Sequence, residues 1–255
     1  MSAMLDHVVA QILAVQVRLL ACRERLAADT DSEALHDLRI GLRRLRSLLR
    51  PLRGLPGVEQ LDDAASALGT LTTPLRDREV LAAELMRRGF AAAGQQRLEG
   101  RGRTFASVAA SLQLTRVLAI VDAFPLFLRA AGREGLVESL EKRIDKRLVK
   151  QWRKLHEALQ DPAHDRHRLR LLIKRARYGD EAYPQLDHAG KKLQRLLKKA
   201  QSDLGNWHDR LQWLLQAREH ADLSPCKVVW EQELHEAERQ SDVTLDALLQ
   251  ALARR

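Results

Sequence analysis

Aromatic residues and cysteines are both scarce in this sequence. Aromatic side chains make up 4% of the 255 residues. No window alternates apolar and polar residues with the period of two that predicts a strand. The two cysteines, Cys22 and Cys226, are too far apart for a metal-binding or redox motif, and we interpret them as semi-buried thiols of a reducing compartment. A composition dominated by Leu, Ala and Arg therefore predicts an all-α protein.

Long hydrophobic runs are also lacking. The longest uncharged runs, such as 8–17, are much shorter than the roughly 20 residues of a membrane-spanning helix. The N-terminal segment has no basic region, and Asp6 and His7 occupy positions that are apolar in a signal peptide. We therefore expect a soluble, cytoplasmic protein with no membrane partner.

Motifs for catalysis and metal binding are missing as well. The sequence has no glycine-rich phosphate loop, no His-Glu-x-x-His zinc motif, and no recognisable pair of carboxylates or activated nucleophile. We therefore expect binding rather than catalysis, with no cofactor and no metal ion. The formal net charge of +9 indicates an anionic partner: nucleic acid, an acidic protein, a membrane surface or a phosphate polymer.

Basic residues recur along one face of the helix predicted after Glu33. With about 100° per residue, an arc of roughly 80° carries His36, Arg39, Arg43, Arg46 and Arg50. The adjoining arc carries Leu35, Leu38, Leu42, Leu45 and Leu49. Each pair of neighbouring like charges costs an isolated helix about 0.2–0.5 kcal/mol. This repulsion predicts an anionic ligand that offsets it.

The same pattern occurs a second time. Residues 36–46 and 167–177 both read His-x-x-Arg-x-x-x-(Arg/Lys)-Arg-x-Arg. An aspartate follows each histidine at nearly the same distance, Asp77 after 41 residues (36 to 77) and Asp209 after 42 (167 to 209). The matched spacing predicts a duplication, with one half in 1–132 and the other in 133–255.

Four helices are predicted in each half. Their predicted ranges are 4–28, 33–50, 58–90 with an interruption at 72–74, 104–130, 136–159, 163–182, 188–220 with a break at Gly205, and 224–253. Gly94–Gly102 is predicted to be a loop and Asp161-Pro162 a turn. The four tryptophans, at 152, 207, 213 and 230, occupy apolar helical positions, which predicts core packing for each.

The paired motifs resemble those of the CHAD family, the conserved histidine α-helical domain. The resemblance covers nearly the whole chain and implies one domain of two pseudo-symmetric antiparallel four-helix bundles. It also implies non-catalytic binding of inorganic polyphosphate in a basic groove or pore, with polyphosphate granules as a candidate location. The residues matched by the motif are His36, Arg39, Arg43, Arg44, Arg46, His167, Arg170, Lys174, Arg175 and Arg177.

Further candidates come from charge and spacing. Arg50 extends the first stripe, and Lys191, Arg195 and Lys198 form another at spacings of four and three residues. Asp77 and Asp209 are candidate carboxylates that orient the histidine or arginine side chains.

The two halves also depart from each other. In the first, Thr72-Thr73 replaces the Leu-Gly of the family pattern, and acidic residues precede it: Glu59, Asp62 and Asp63. In the second, His208 replaces an Arg or Asn. The second half is therefore predicted to bind anions more strongly.

Two alternative functions stay open. The first is binding of a nucleic-acid backbone, which the basic stripes disfavour because Tyr178 is their only aromatic residue and single-strand binders stack bases on aromatics. The second is processing of a phosphate polymer. The sequence disfavours it because it lacks a carboxylate cluster that would hold a divalent cation. The sequence does not predict the oligomeric state.

Overall fold

The chain is helical throughout the residues that the computed structural model describes, 2–161 and 163–253. Within these residues no strand is present, and the α-helices are α1 (Ala3–Ala27), α2 (Ala34–Leu49), α3 (Val58–Arg87), α4 (Ala91–Leu98), α5 (Arg101–Ala109), α6 (Leu112–Arg133), α7 (Leu140–Gln160), α8 (Arg166–Ala182), α9 (Gly190–Glu219) and α10 (Lys227–Ala253). Short 3₁₀ helices cover Arg50–Leu52, Pro184–Leu186 and Ala221–Cys226. The predicted all-α class is confirmed.

The helices form two compact units, Met1–Ile144 and Asp145–Arg255. The boundary falls in the first turns of α7, so the first unit is built from α1 to α6 and the second from most of α7 with α8, α9 and α10. The predicted halves divide instead at the end of α6, between 132 and 133. That division, and the pairing of the halves as symmetric bundles, stay predictions.

The leucine face of α2 is buried in the first unit. Leu35, Leu38 and Leu45 have no exposed surface, and α2 packs against α1 and α3. Gly41 permits a close approach to α1, because a Cβ atom there would lie 3.0 Å from Cδ2 of Leu19. This packing fixes which face of α2 turns outward.

The second unit has a corresponding core around α8. Leu169 and Ile173 of α8 are fully buried, together with Leu155 of α7 and Leu197 of α9. Gly179 lets α7 approach closely, since a Cβ atom there would lie 2.9 Å from Cδ2 of Leu148. The motif helix of each unit is therefore anchored by its apolar face.

Two predicted helix breaks do not occur. The helix α3 continues through Pro74, although proline lacks the amide that would donate to the preceding turn. In that turn the hydroxyls of Thr72 and Thr73 and the Arg39 guanidinium donate to carbonyl groups. The helix α9 continues through Gly205, whose cost of about 1 kcal/mol is offset by burial of neighbours such as Leu204.

The segment after α3 also differs from its prediction. The predicted loop at 94–102 contains most of α4. Gly94 is buried against α3 so closely that a Cβ atom there would lie 2.6 Å from Cγ of Met86. The predicted helix at 104–130 is two helices, because the chain turns at 110–111 and the Ser111 hydroxyl caps α6 by accepting from the amide of Leu114 at 3.3 Å.

Several helix ends are shifted. The helix predicted from 136 begins at Leu140, and the helix predicted from 163 begins at Arg166 behind its cap residue Asp165. The Ser224-Pro225 pair lies in the 3₁₀ helix that precedes α10 rather than in α10 itself. Of the predicted Asp161-Pro162 turn, Pro162 lies outside the described residues.

The cysteines are more buried than the expected semi-buried thiols, and core packing is confirmed for two of the four tryptophans. Cys22 and Cys226 are free and buried. Trp213 and Trp230 are buried with their ring centroids 5.5 Å apart. The other two tryptophans, at 152 and 207, are half-buried against the core of the second unit.

The first helix has an unusual hydropathy. Among the described residues, α1 is long and apolar enough to cross a membrane, and the helices from Ala91 to Arg133 meet the same criterion together although they bend by 41°. The α1 side chains Val8, Ile12 and Leu19 are fully buried against neighbouring helices of the first unit. Core packing therefore accounts for the apolar stripe of α1.

We expect truncation of the buried face of α8 to destabilise the protein. Leu169→Ala removes a fully buried side chain and should lower the free energy of unfolding by about 2–5 kcal/mol in chemical denaturation. Leu171→Ala makes the same change at a side chain that is 36% exposed and should cost less than about 1 kcal/mol. Equal losses in the two variants would contradict this assignment of the faces.

Candidate anion-binding site

Each motif histidine lies beside the residue that precedes the motif aspartate. In the first unit, burial and the charge of Arg76 lower the pKa of His36 below its usual value. In the second unit, the rings of His167 and His208 have their centroids 5.7 Å apart. The motif helix thus packs against the aspartate-bearing helix in both units, α2 against α3 and α8 against α9.

Arg39 is held by α3. Its Nη1 donates to the carbonyl of Gly69 at 3.1 Å and to the hydroxyls of Thr72 and Thr73 at 2.9 and 3.1 Å. Burial lowers the pKa of Arg39, and the nearby charge of Asp77 acts in the opposite direction. The two threonines that depart from the family pattern are therefore acceptors for this guanidinium.

Arg46 is held by a buried carboxylate. Nε of Arg46 donates to Oδ1 of Asp62 at 2.9 Å, and Arg53 donates to Oδ2 at 2.5 Å. Burial alone would raise the pKa of Asp62, but the two guanidinium donors outweigh it and hold the pKa below its usual value. An acidic residue of α3 thus pairs with an arginine of the first stripe.

The other basic residues of the first stripe occupy varied positions. Arg43 is half-buried on α2, and Arg44 is exposed. Arg50 lies beyond α2, in the 3₁₀ helix Arg50–Leu52. The predicted cations of the first unit therefore differ in their exposure and in the helix that carries them.

The second unit brings four predicted cations together. Arg177 of α8 and three residues of α9, Lys191, Arg195 and Lys198, line one cleft of about 580 Å³. The three α9 side chains are exposed. A cleft with this lining presents several positive charges to a single anionic ligand.

Arg177 keeps a weak internal partner. It pairs at 2.7 Å with Glu181, one turn further along α8, and its guanidinium lies 4.9 Å from the centroid of the Tyr178 ring. The Glu181 side chain is 53% exposed. The Arg177 side chain is 21% exposed, so the pair lies partly in solvent, and water can solvate the carboxylate that an incoming anion displaces.

A buried carboxylate forms part of the same cleft. Asp180 accepts from the side-chain amide of Gln194 at 2.8 Å and from the backbone amide of His188 at 3.1 Å. Burial raises the pKa of Asp180 above its usual value. Asp180 thus holds Gln194 and the turn before α9. The lysines of the cleft and Arg195 belong to α9.

The remaining α8 candidates lie elsewhere. His167 and Arg175 line a second cleft of about 470 Å³, together with Lys154 of α7 and Arg168. Arg170 and Lys174 lie near His208, where their charges help to lower its pKa. The basic residues of α8, which were predicted to form one stripe, therefore lie in three separate environments.

The two candidate carboxylates lie on the helices that face the motif helices, α3 and α9. Asp77 is exposed on α3 and close enough to Arg39 to affect its pKa, whereas Asp209 is half-buried on α9. Within 2–161 and 163–253, no group of three or more His, Cys, Asp or Glu side chains is arranged to hold a metal ion.

Some contacts of basic residues were not predicted. Lys199 donates to Asp203 at 2.8 Å and to Thr244 at 3.0 Å, and Arg166 donates to both oxygens of Asp242 at 2.8 Å. These contacts tie basic residues of α8 and α9 to α10. Only the i,i+4 spacing of Lys199 and Asp203 is a sequence signal, because the others depend on how α10 packs.

The protein is all-helical within the described residues, and a basic helix that carries a motif histidine occurs twice in its sequence. The sequence model of the CHAD domain family matches residues 10–218. The chain belongs to the CHAD family. No curated protein matches it.

A solved structure shows the same fold. The crystal structure of the CHAD domain from the plant Ricinus communis is similar with a TM-score of 0.67 and 23% sequence identity. The match covers 99% of this chain and 92% of that one. At this level of identity the likeness establishes the fold, and the predicted CHAD fold is confirmed.

The environment of His208 predicts a pH-dependent stability. Burial, together with the charges of Arg170, His167 and Lys174, lowers its pKa to about 4 from 6.5. The unfolded chain therefore binds this proton at a higher pH than the folded protein does. The contribution is fully present above about pH 6.5 and is lost as the pH falls toward 4.

We expect His208→Gln to remove this part of the pH dependence. The free energy of unfolding of the original protein should fall more between pH 7 and pH 5 than that of the variant, as measured by urea titration. The other titrating groups are common to both proteins and cancel in the comparison. An identical fall in both would contradict the assignment.

Proposed function

We propose that the protein binds inorganic polyphosphate, without turning it over, on the basic face formed by α8 and α9. The observation that carries the proposal is the cleft in which Arg177, Lys191, Arg195 and Lys198 converge. Membership of the CHAD family supports it, because this domain is associated with polyphosphate binding.

The chemistry of the cleft suits a linear phosphate polymer. Lys191 and Lys198 are separated by about 10 Å along the axis of α9, at about 1.5 Å per residue. A polymer with a charge every few ångströms contacts several of these side chains at once. Guanidinium groups donate two parallel hydrogen bonds to phosphate oxygens, whereas the lysines act as mobile point charges that tolerate an irregular chain.

The first unit is proposed to contribute less. Arg39 and Arg46 already donate to internal acceptors, so these two cations are less available to a ligand. The second unit, with the cations of the cleft and with His167, Arg170, Lys174 and Arg175 elsewhere on α8, is proposed to be the stronger binder. A cytoplasmic location on polyphosphate granules is part of the same proposal.

Binding of a nucleic-acid backbone is the second candidate. Tyr178, the aromatic residue of the basic stripes, is 8% exposed, and its hydroxyl accepts from the side-chain amide of Gln201 at 2.8 Å. A buried ring of this kind is not available to stack on a base. The surroundings of Tyr178 therefore favour a ligand without bases.

Competition distinguishes the two ligands. Labelled long-chain polyphosphate should bind tightly, with an affinity that falls steeply as salt rises, because each contacted phosphate releases counter-ions. Single-stranded RNA at the same concentration of charge should displace it poorly. Displacement by RNA at equal charge would contradict the preference for polyphosphate, and turnover of polyphosphate with added Mg²⁺ or Mn²⁺ would contradict a purely binding role.

A matched pair of substitutions on α9 locates the site. Arg195→Glu reverses a charge in the cleft and should weaken polyphosphate binding about tenfold or more, because a repulsive charge replaces a contact with phosphate. Arg218→Glu makes the same change at an exposed residue about 35 Å further along the helix and should alter binding less than about twofold. Fluorescence anisotropy measures both affinities. Equal losses would place the site elsewhere.

A further inference from the structure

We propose that Asp62 is an internal counter-ion that occupies anion-binding arginines of the first unit and so keeps polyphosphate away from them. The inference rests on the proposed function and adds a residue that sets the difference between the two motif copies. Asp62 belongs to α3 and does not face solvent.

The geometry is that of a carboxylate in the place of a phosphate group. Both oxygens of Asp62 are engaged, Oδ1 with Nε of Arg46 at 2.9 Å and Oδ2 with Arg53 at 2.5 Å. The Asp62 side chain is 5% exposed, whereas the two guanidinium-bearing side chains are 34% and 49% exposed. Two cations that border the solvent therefore turn inward to a buried anion, and each donates a charge-assisted hydrogen bond of the kind that a phosphate oxygen also accepts.

The second unit has no carboxylate at the position that corresponds to Asp62, although Asp180 lies buried in the cleft. The position that corresponds to Asp62 is Gln194, because each lies 15 residues before the motif aspartate (62 to 77 and 194 to 209) and directly follows a buried leucine. Likewise Arg177 corresponds to Arg46, each ten residues after the motif histidine (36 to 46 and 167 to 177). The amide of Gln194 is neutral and donates to Asp180 instead.

The arginines of the two units therefore differ in how easily a phosphate group can replace their carboxylate partner. The partner of Arg177 is the exposed Glu181, which a phosphate group can replace while the displaced carboxylate is solvated. Displacing Asp62 from Arg46 and Arg53 would leave a buried carboxylate without its counter-ions, which is strongly unfavourable. The same motif is thus open in one copy and occupied in the other.

The test is a gain of binding. Asp62→Asn removes the buried charge and should strengthen polyphosphate binding about tenfold at low salt. It should also make the slope of log affinity against log salt steeper by about one to two, since one or two more phosphates are contacted. Asp63→Asn, at the exposed neighbouring residue, raises the net charge equally and should change the affinity less than about twofold.

A double variant identifies the residue through which the gain acts. The affinity of Asp62→Asn combined with Arg46→Ala should fall back by most of the tenfold gain. Should Asp62→Asn fail to fold, as judged by circular dichroism, Asp62→Gln provides the amide found at the corresponding place in the second unit. Failure of both variants to fold would overturn the proposal, because Asp62 would then serve the fold.

The outcomes separate this inference from the function on which it depends. If the original protein binds polyphosphate and Asp62→Asn binds no more tightly than Asp63→Asn, the internal counter-ion is refuted while the proposed function stands. If the original protein does not bind polyphosphate at all, the proposed function itself fails.

Discussion

Burial of the leucine face of α2, and of the corresponding face of α8, is the interaction on which the rest of the structure depends. Each leucine removed from water contributes about 1.5–3 kcal/mol, whereas each neighbouring pair of like charges costs about 0.2–0.5 kcal/mol. Leu35, Leu38 and Leu45 are fully buried, so the apolar face outweighs the repulsion on its neighbour. The hydrophobic core therefore holds basic side chains in a row that would not persist on an isolated helix.

The same row of charges is resolved differently in the two units. In the first, Arg39 donates to carbonyl and hydroxyl oxygens of α3, and Arg46 donates to the buried Asp62. In the second, Arg177 pairs with the exposed Glu181 and lies in a cleft lined by further cations of α9. The motif thus occurs twice, and the facing helix supplies acceptors for its arginines in the first unit but further cations around a cleft in the second.

Much of this could be predicted from local patterns, and the failures have physical causes. The all-α class and the buried thiols follow from composition and helical periodicity, and the family from the paired motifs, all of which the sequence contains. The continuity of α3 through Pro74 was not predicted, because the local rule that proline interrupts a helix takes no account of the helices that pack against α3. The Arg46–Asp62 pair likewise requires the rotation of α3 against α2, which spacing along the chain does not specify. The acidic residues of α3 were visible in the sequence, but not which of them is buried.

The central claim is that polyphosphate contacts the α8 and α9 face of the second unit. Nuclear magnetic resonance of the lysine and arginine side-chain nitrogens during a polyphosphate titration tests it most directly. The account predicts early and large shifts at Arg177, Lys191 and Lys198, with the Nε signal of Arg46 nearly unchanged. Shifts of equal size at Arg46, or an unresponsive cleft in a protein that binds the polymer, would contradict it.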